Sequence, residues 1–177
     1  MTATMIEPTF IVRELDTPVG RLALIGSSLG VRAILWPGDS PSRVGLADAT
    51  FEVGTIDVLD EAAIQLGEYF AGIRTTFDLP LDLRGTPFQV AAWEALAAIP
   101  YGETRTYSQQ ATRIGRPNAV RAIGAANGRN PISIVLPCHR VVGSDGSLTG
   151  FAGGLEAKAA LLAFEAARVG HPGQITA

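Results

Sequence analysis

With 177 residues, 47% hydrophobic and 18% charged, and a formal net charge of −3, the chain reads as one large or two small soluble globular domains rather than a disordered one. A single cysteine excludes an intramolecular disulfide, and one cysteine with two histidines excludes a cysteine-rich zinc site. Neither an apolar signal segment nor an apolar run of about 18 residues occurs, so the sequence predicts a reducing, cytoplasmic setting and no membrane partner.

Thr9–Arg13 and Arg21–Ile25 are β-prone runs joined through Asp16-Thr17-Pro18-Val19-Gly20, a hairpin pattern, and Val31–Trp36 adds a third strand. From Asp57 the apolar positions Leu59, Ala62, Ala63, Leu66, Tyr69 and Phe70 fall at helical spacing, with Gly72 just past the end. Strands followed by a helix predict an α+β N-terminal unit.

Charge sign and periodicity both change across Asp78–Gly85, which places a domain boundary there: 1–83 and 84–177. Residues 1–83 carry five Arg against twelve Asp and Glu, a balance of −7. Residues 84–140 carry seven Arg against Glu94 and Glu103, a balance of +5 hidden by the chain average. An ordinary solvated face and a nucleic-acid docking face both fit that asymmetry.

Thr86-Pro87-Phe88-Gln89 has the hydroxyl, proline and glutamine of a capping box, and Phe88, Ala91, Ala92, Ala95, Leu96 and Ile99 continue a helix that Pro100-Tyr101-Gly102 stops. Two short helices follow, Ser108–Ile114 and Asn118–Asn127, around Gly115-Arg116-Pro117. The outline fits a helix-turn-helix and equally a plain helical hairpin. The second helix carries Ala119, Ala122, Gly124, Ala125 and Ala126 with Arg121 among them, thin enough to approach a narrow groove.

Ile132–Leu136 reads as a short β run that Pro137 ends and that delivers Cys138, the chain's one cysteine, with His139 next to it. A nucleophilic cysteine needs a group to draw off its proton, and one of only two histidines is its neighbour. Adjacent residues of an extended strand face opposite ways, so the pair requires a turn or a bridging water. Ser144–Ser147 is a turn and Gly150–Gly154 a flexible loop. A final helix covers about 155–168, and Leu155, Leu162 and Glu165 share its apolar stripe. A carboxylate there is costly unless paired or at the core's rim, and His139 is the economical partner.

Pro137-Cys138-His139-Arg140 with its flanks resembles the active-site signature of the O6-alkylguanine-DNA alkyltransferases, the methylated-DNA-protein-cysteine methyltransferases. Gly85–Gln89, Ile99–Thr104, Thr106-Tyr107, Arg121–Gly124, Asn130-Pro131, Gly153-Gly154 and Lys158 through Leu162 to Glu165 are similar to the family's pattern in order and spacing, over roughly residues 60–168. Residues 1–56 resemble it only in length and strand content.

The resemblance implies an α+β fold: a small antiparallel-sheet, ribonuclease-H-like domain, then a helical, winged helix-turn-helix-like domain carrying the cysteine. It implies direct repair of double-stranded DNA. The damaged guanine, with O4-alkylthymine a second candidate, is flipped out and its alkyl group passes once and irreversibly to Cys138, with no cofactor or metal. His139 would act through a water and be held by Glu165, Tyr107 would donate to the leaving guanine, and Asn130 would brace the turn before the cysteine. DNA contacts would fall to Arg121, Ala122, Ala119, Arg116, Thr106 and Arg129, and the alkyl pocket to Phe151, Ala152, Pro137 and Val141. Phenylalanine at 151 departs from the tyrosine frequent in the family. The resemblance also implies a solution monomer that could bind DNA cooperatively.

Other classes remain open at this point. A recognition-only relative would lack the cysteine, a cysteine hydrolase would turn over and need no helix-turn-helix, and a structural domain leaves the order and spacing of the motifs unexplained.

Overall fold

The computed structural model describes residues 9–169. It is α+β, with a four-stranded sheet in the N-terminal half and helices dominating the C-terminal half. Strands β1 (Thr9–Thr17), β2 (Gly20–Ser27) and β3 (Gly30–Leu35) pair antiparallel, as the hairpin pattern predicts, with Pro18-Val19 as the turn. The sheet has a fourth strand that the sequence reading missed: β4 (Thr50–Val53) pairs parallel to β1, giving the order β3-β2-β1-β4. Helix α1 (Asp57–Phe70) buries Leu59, Ala62, Leu66 and Tyr69 on the expected stripe.

Gly30 shows why this corner of the sheet takes no side chain. Its φ is +149°, and a Cβ there would sit 2.3 Å from the Pro80 carbonyl oxygen. That close approach lets Val31 N donate to Pro80 O (2.9 Å) and Asp82 N to Val31 O (2.8 Å), so the connector between the halves runs along β3.

In the C-terminal half Thr86 caps α2 (Pro87–Leu96) with both bonds of the capping box. The two short helices are α3 (Tyr107–Arg113) and α4 (Val120–Gly128), with Gly115 at φ +71° in the turn between them. Ala92, Ala111, Ile123 and Ala126 form a small core among α2, α3 and α4. Gln110 and Asn127 exchange amide hydrogen bonds at 2.8 and 3.1 Å, Gln110 also donates to Ala92 O (3.0 Å), and Trp93 Nε1 donates to Ala126 O (2.8 Å). Every one of these buried polar groups has a partner, so the outline is a fixed three-helix unit rather than a loose hairpin. A two-residue parallel pair, β5 (Arg105–Thr106) with β6 (Val141–Val142), ties the start of α3 to the chain beyond the cysteine, and α5 (Gly154–Val169) closes the half.

The main core is shared between the halves. Leu22, Leu24, Ile34 and Trp36 from the sheet and Leu59, Leu66 and Tyr69 from α1 pack with Trp93, Leu96, Ile132, Ile134, Cys138 and Leu161. Ile34 N donates to Pro131 O (2.8 Å), and Arg43 reaches from its 3-10 turn (Pro41–Val44) to Asn130 O (3.0 Å) and Gly128 O (3.3 Å). The cysteine segment is thereby held from the N-terminal side. Among the described residues no helix is long and apolar enough to cross a membrane.

Candidate active site

The segment from Asn130 to Val142 is continuously buried. Its first half is not the β run that apolar composition predicts. Ile132 makes a single bridge to Ile34, Ser133 one to Leu136, and Ile134 between them takes φ +75°. A β-branched residue in that region is strained, and the surroundings hold it there. Asn130 accounts for much of the restraint: its Oδ1 accepts from Ile132 N (3.0 Å) and its Nδ2 donates to Leu136 O (2.7 Å). The side-chain amide takes the place of a neighbouring strand and satisfies both backbone groups.

Cys138, His139 and Arg140 then form one 3-10 turn, with Cys138 N on Leu136 O (2.8 Å) and Arg140 N on Pro137 O (3.0 Å). On such a turn successive side chains diverge by about a third of a circle rather than opposing one another, which removes the difficulty of neighbours on an extended strand. Cys138 is only 5% exposed. Burial pushes its thiol up, and Asn130, Lys158, Ser133 and Arg43 partly offset the rise.

His139 Nε2 lies 2.7 Å from Glu165 Oε1, and both side chains are fully buried. Burial lowers the imidazole's pKa, with Arg140 and Lys158 acting in the same direction and Glu165 against them. The ring is therefore neutral near pH 7, and with a carboxylate facing Nε2 the proton belongs on that nitrogen. Its Nδ1 is buried and, among the described residues, has no hydrogen-bond partner, which leaves a free lone pair one residue from the thiol.

Glu165 receives more than the histidine. Arg140 donates from Nε to Oε2 and from Nη2 to Oε1, both at 2.9 Å, Tyr69 OH donates to Oε1 at 2.7 Å, and Gly102 N donates to Oε2 at 3.1 Å. Burial alone would raise this carboxyl, yet the bonds from His139, Arg140 and Tyr69 outweigh it and hold it at about 2. The buried stripe of α5 is Lys158, Leu161 and Glu165. It is rotated from the expected one: Leu155 is half exposed and Leu162 only partly covered.

Lys158 supplies a second buried charge. Its ammonium donates to Val141 O (2.6 Å), Thr149 O (2.9 Å) and Tyr107 OH (3.5 Å), and among the described residues no carboxylate pairs with it. Burial lowers its pKa, and the Cys138 thiol opposes that. Tyr107 opens α3, where its hydroxyl also accepts from Thr149 Oγ1 at 3.0 Å. Phe151 lies edge-on to Trp36 (5.2 Å between centroids) and to His139 (6.4 Å), with Ala152 half-buried beside it. Pro137 and Val141 are buried, Val141 within the core.

The remaining sequence-assigned residues lie along α3 and α4. Arg116, Arg121 and Arg129 are exposed and, among the described residues, have no side-chain bond or ion pair, Ala122 is exposed, and Ala119 is half-buried at the N-cap of α4. Room lies over the helix, since a Cβ at Gly124 would meet nothing within 4 Å. Thr106 accepts from Gln109 N (3.1 Å) as the cap of α3. His139 and Glu165 thus meet, with Cys138 the preceding residue of the same turn, while Tyr69, Gly102, Arg140 and Lys158 went without an assigned role. Arg140, Gly102 and Lys158 fall within the motifs quoted above, whereas Tyr69 lies outside them. A cleft of about 630 Å³ between Arg43, Arg84, Trp93 and Arg129 involves neither the cysteine nor its partners. Among the described residues no group of three or more His, Cys, Asp or Glu side chains is placed to hold a metal ion.

Two family models match the chain, described as 6-O-methylguanine DNA methyltransferase, ribonuclease-like domain (residues 11–83) and DNA binding domain (residues 87–167). The methylated-DNA–protein-cysteine methyltransferase of Mycolicibacterium paratuberculosis is 48% identical over 155 residues, covering 86% of this chain and 90% of that one. Its namesake in Methanosarcina barkeri is 46% identical over 151 residues, covering 85% and 94%. Among solved structures, the O6-methylguanine methyltransferase of Mycobacterium tuberculosis superposes with a TM-score of 0.79 at 46% identity, covering 90% of this chain and 94% of that one. A structure of the Mycobacterium tuberculosis protein in complex with DNA gives the same TM-score and coverage at 44% identity.

Proposed function

The chain belongs to the 6-O-methylguanine DNA methyltransferase family, and from that premise we propose that Cys138 is its alkyl acceptor, with His139 as base and Glu165 as the group that holds the base. The activity is direct-reversal DNA repair, in which an alkyl group passes from a damaged guanine of DNA to a cysteine of the protein.

The observation that carries the residue assignment is the free Nδ1 of His139. Its other nitrogen is fixed on a buried carboxylate at 2.7 Å, and it follows in the same turn the chain's one cysteine. Because burial favours the neutral thiol, a proton must leave as the sulfur attacks. Sγ attacks the alkyl carbon in line, the carbon–O6 bond breaks with its electron pair on guanine, and the thiol proton passes to Nδ1, directly or across one water. Imidazolium then faces Glu165, which stays charged because Arg140 and Tyr69 also bind it. Tyr107 donates to the ring nitrogen of the departing guanine, and Lys158, donating to the same hydroxyl at 3.5 Å, makes it a better donor. The thioether has no route back, so each chain reacts once.

Since Cys138 is 5% exposed, the base must leave the duplex to reach it. Arg121 on α4 fills the vacated stack, Ala119, Ala122 and Thr106 lie against the groove, and Arg116 and Arg129 meet phosphates. Phe151, Ala152, Pro137 and Val141 form the alkyl side of the pocket, and the two domains divide at 1–83 and 84–177. We place the protein in the cytoplasm, acting as a monomer. Peptide mapping after incubation with a duplex bearing one O6-methylguanine tests the assignment: the methyl group is expected on the peptide containing Cys138, and a methylated peptide elsewhere would overturn it.

A further inference from the structure

Glu165 divides one carboxylate between the two halves of the molecule. Oε1 takes His139 Nε2 at 2.7 Å from the cysteine turn and Tyr69 OH at 2.7 Å from α1, a residue 96 positions away. Tyr69 is fully buried, with Phe70, Phe77, Tyr101 and Phe164 around its ring at centroid distances of 5.1 to 5.9 Å. The packing fixes the hydroxyl's direction, and among the described residues Glu165 is its one hydrogen-bond partner.

We propose that Tyr69 is a positioning residue of the alkyl-transfer relay: its hydroxyl locks the Glu165 carboxylate against His139 and withholds part of that carboxylate's charge from the imidazole. The inference rests on the reading that His139 accepts the Cys138 proton. A base in that role must be neutral at rest. A buried carboxylate given over to one imidazole favours imidazolium, which cannot take a proton from a thiol. Tyr69 and Arg140 both share the charge of Oε1 with His139, so Tyr69 adds to Arg140 in moderating the pull on the imidazole.

Tyr69 is suited to be a constant donor. Burial and the adjacent carboxylate push its own ionisation far above the ordinary tyrosine value, so it keeps its proton throughout the working range. The other charged or titratable groups facing this cluster are Arg140 in the cysteine turn, Tyr101 after α2, and Lys158 and Arg168 on α5. None of them supplies a neutral hydrogen bond to Oε1. The N-terminal half thereby sets the pH range in which the cysteine half works.

Tyr69→Phe keeps the ring and removes the bond. The chain has two histidines, so the ring signals of His139 can be followed by NMR titration of the whole protein, with His171→Gln to assign them. The His139 midpoint should rise by about half a unit to one unit in Tyr69→Phe relative to wild type. Single-turnover methyl transfer should slow roughly 2- to 5-fold at pH 6 and recover at pH 8.5. In a Glu165→Gln background the same substitution should move neither quantity.

An unmoved midpoint in folded Tyr69→Phe overturns the proposal, as does a shift that persists in Glu165→Gln. Tyr69→Leu serves the same comparison should Tyr69→Phe not fold. The titration is read without DNA, so the two claims separate. A wild type that places no methyl on Cys138 overturns the relay reading, whereas a transferring protein with an unmoved His139 overturns the role of Tyr69 alone.

Discussion

Arg140 grips Glu165 side-on, Nε on Oε2 and Nη2 on Oε1 at 2.9 Å each, one residue along from the histidine that shares the carboxylate. The carboxylate thus has a permanent counter-charge and does not depend on the protonation of His139. Removing its charge leaves a guanidinium buried without one. Glu165→Gln is therefore expected to cost about 3–5 kcal/mol of folding stability, read from the denaturant midpoint, as well as slowing transfer. A midpoint unchanged from wild type would contradict the arrangement.

Acid should destabilise the fold in two stages. In the folded chain the His139 pKa lies below its ordinary 6.5 because burial disfavours imidazolium, so below that pH the unfolded chain binds the extra proton and gains ground. Glu165 is held at about 2 against an ordinary 4.5, so its contribution is complete above 4.5 and lost as pH falls towards 2. Both act in the same direction. Urea midpoints at about pH 7.5, 5.5 and 4 should fall in that order, and His139→Gln should flatten the first step.

Asn130→Ala removes the partners of Ile132 N and Leu136 O in a segment without solvent. Each orphaned group costs about 1–3 kcal/mol, and the strained turn at Ile134 loses its brace. The expected result is a marked loss of thermal stability together with a Cys138 thiol that reacts more readily with small alkylating reagents. Wild-type protection of the thiol would show that the turn holds without the amide.

Arg121 is exposed on α4 and has no ion pair among the described residues, so its removal should leave the fold intact. Arg121→Ala should weaken repair of O6-methylguanine in duplex DNA while barely affecting reaction with the free modified base. Equal losses on both substrates would argue against a role in flipping. Affinity for duplex DNA should fall with rising salt, and Arg116→Ala or Arg129→Ala should each reduce that slope by about one phosphate contact.

Local signals carried the N-terminal hairpin, α1 and the capping box of α2, because each is specified by residues a few positions apart. Strand β4 was invisible: Thr50–Val53 is four residues long and mostly exposed, and its partner β1 lies more than thirty residues upstream. The stretch Ile132–Leu136 misled for the opposite reason, since its apolar residues face a core while an asparagine side chain substitutes for the neighbouring strand. At the site, the cost of a carboxylate on an apolar stripe left two readings, a pairing with His139 or a place at the core's rim, and in the structure Glu165 is fully buried against His139. Tyr69 and Gly102 could not be found that way, because nothing near either in sequence marks it as a partner of a residue on the last helix.

The most direct test of the account is the intact mass of the protein after incubation with excess duplex carrying one O6-methylguanine, with Cys138→Ala in parallel. The account predicts a gain of one methylene on the wild type, saturating at one per chain, and none on the variant, which still binds the duplex. A gain on Cys138→Ala, or continued demethylation of DNA by a wild type whose mass does not change, would contradict it.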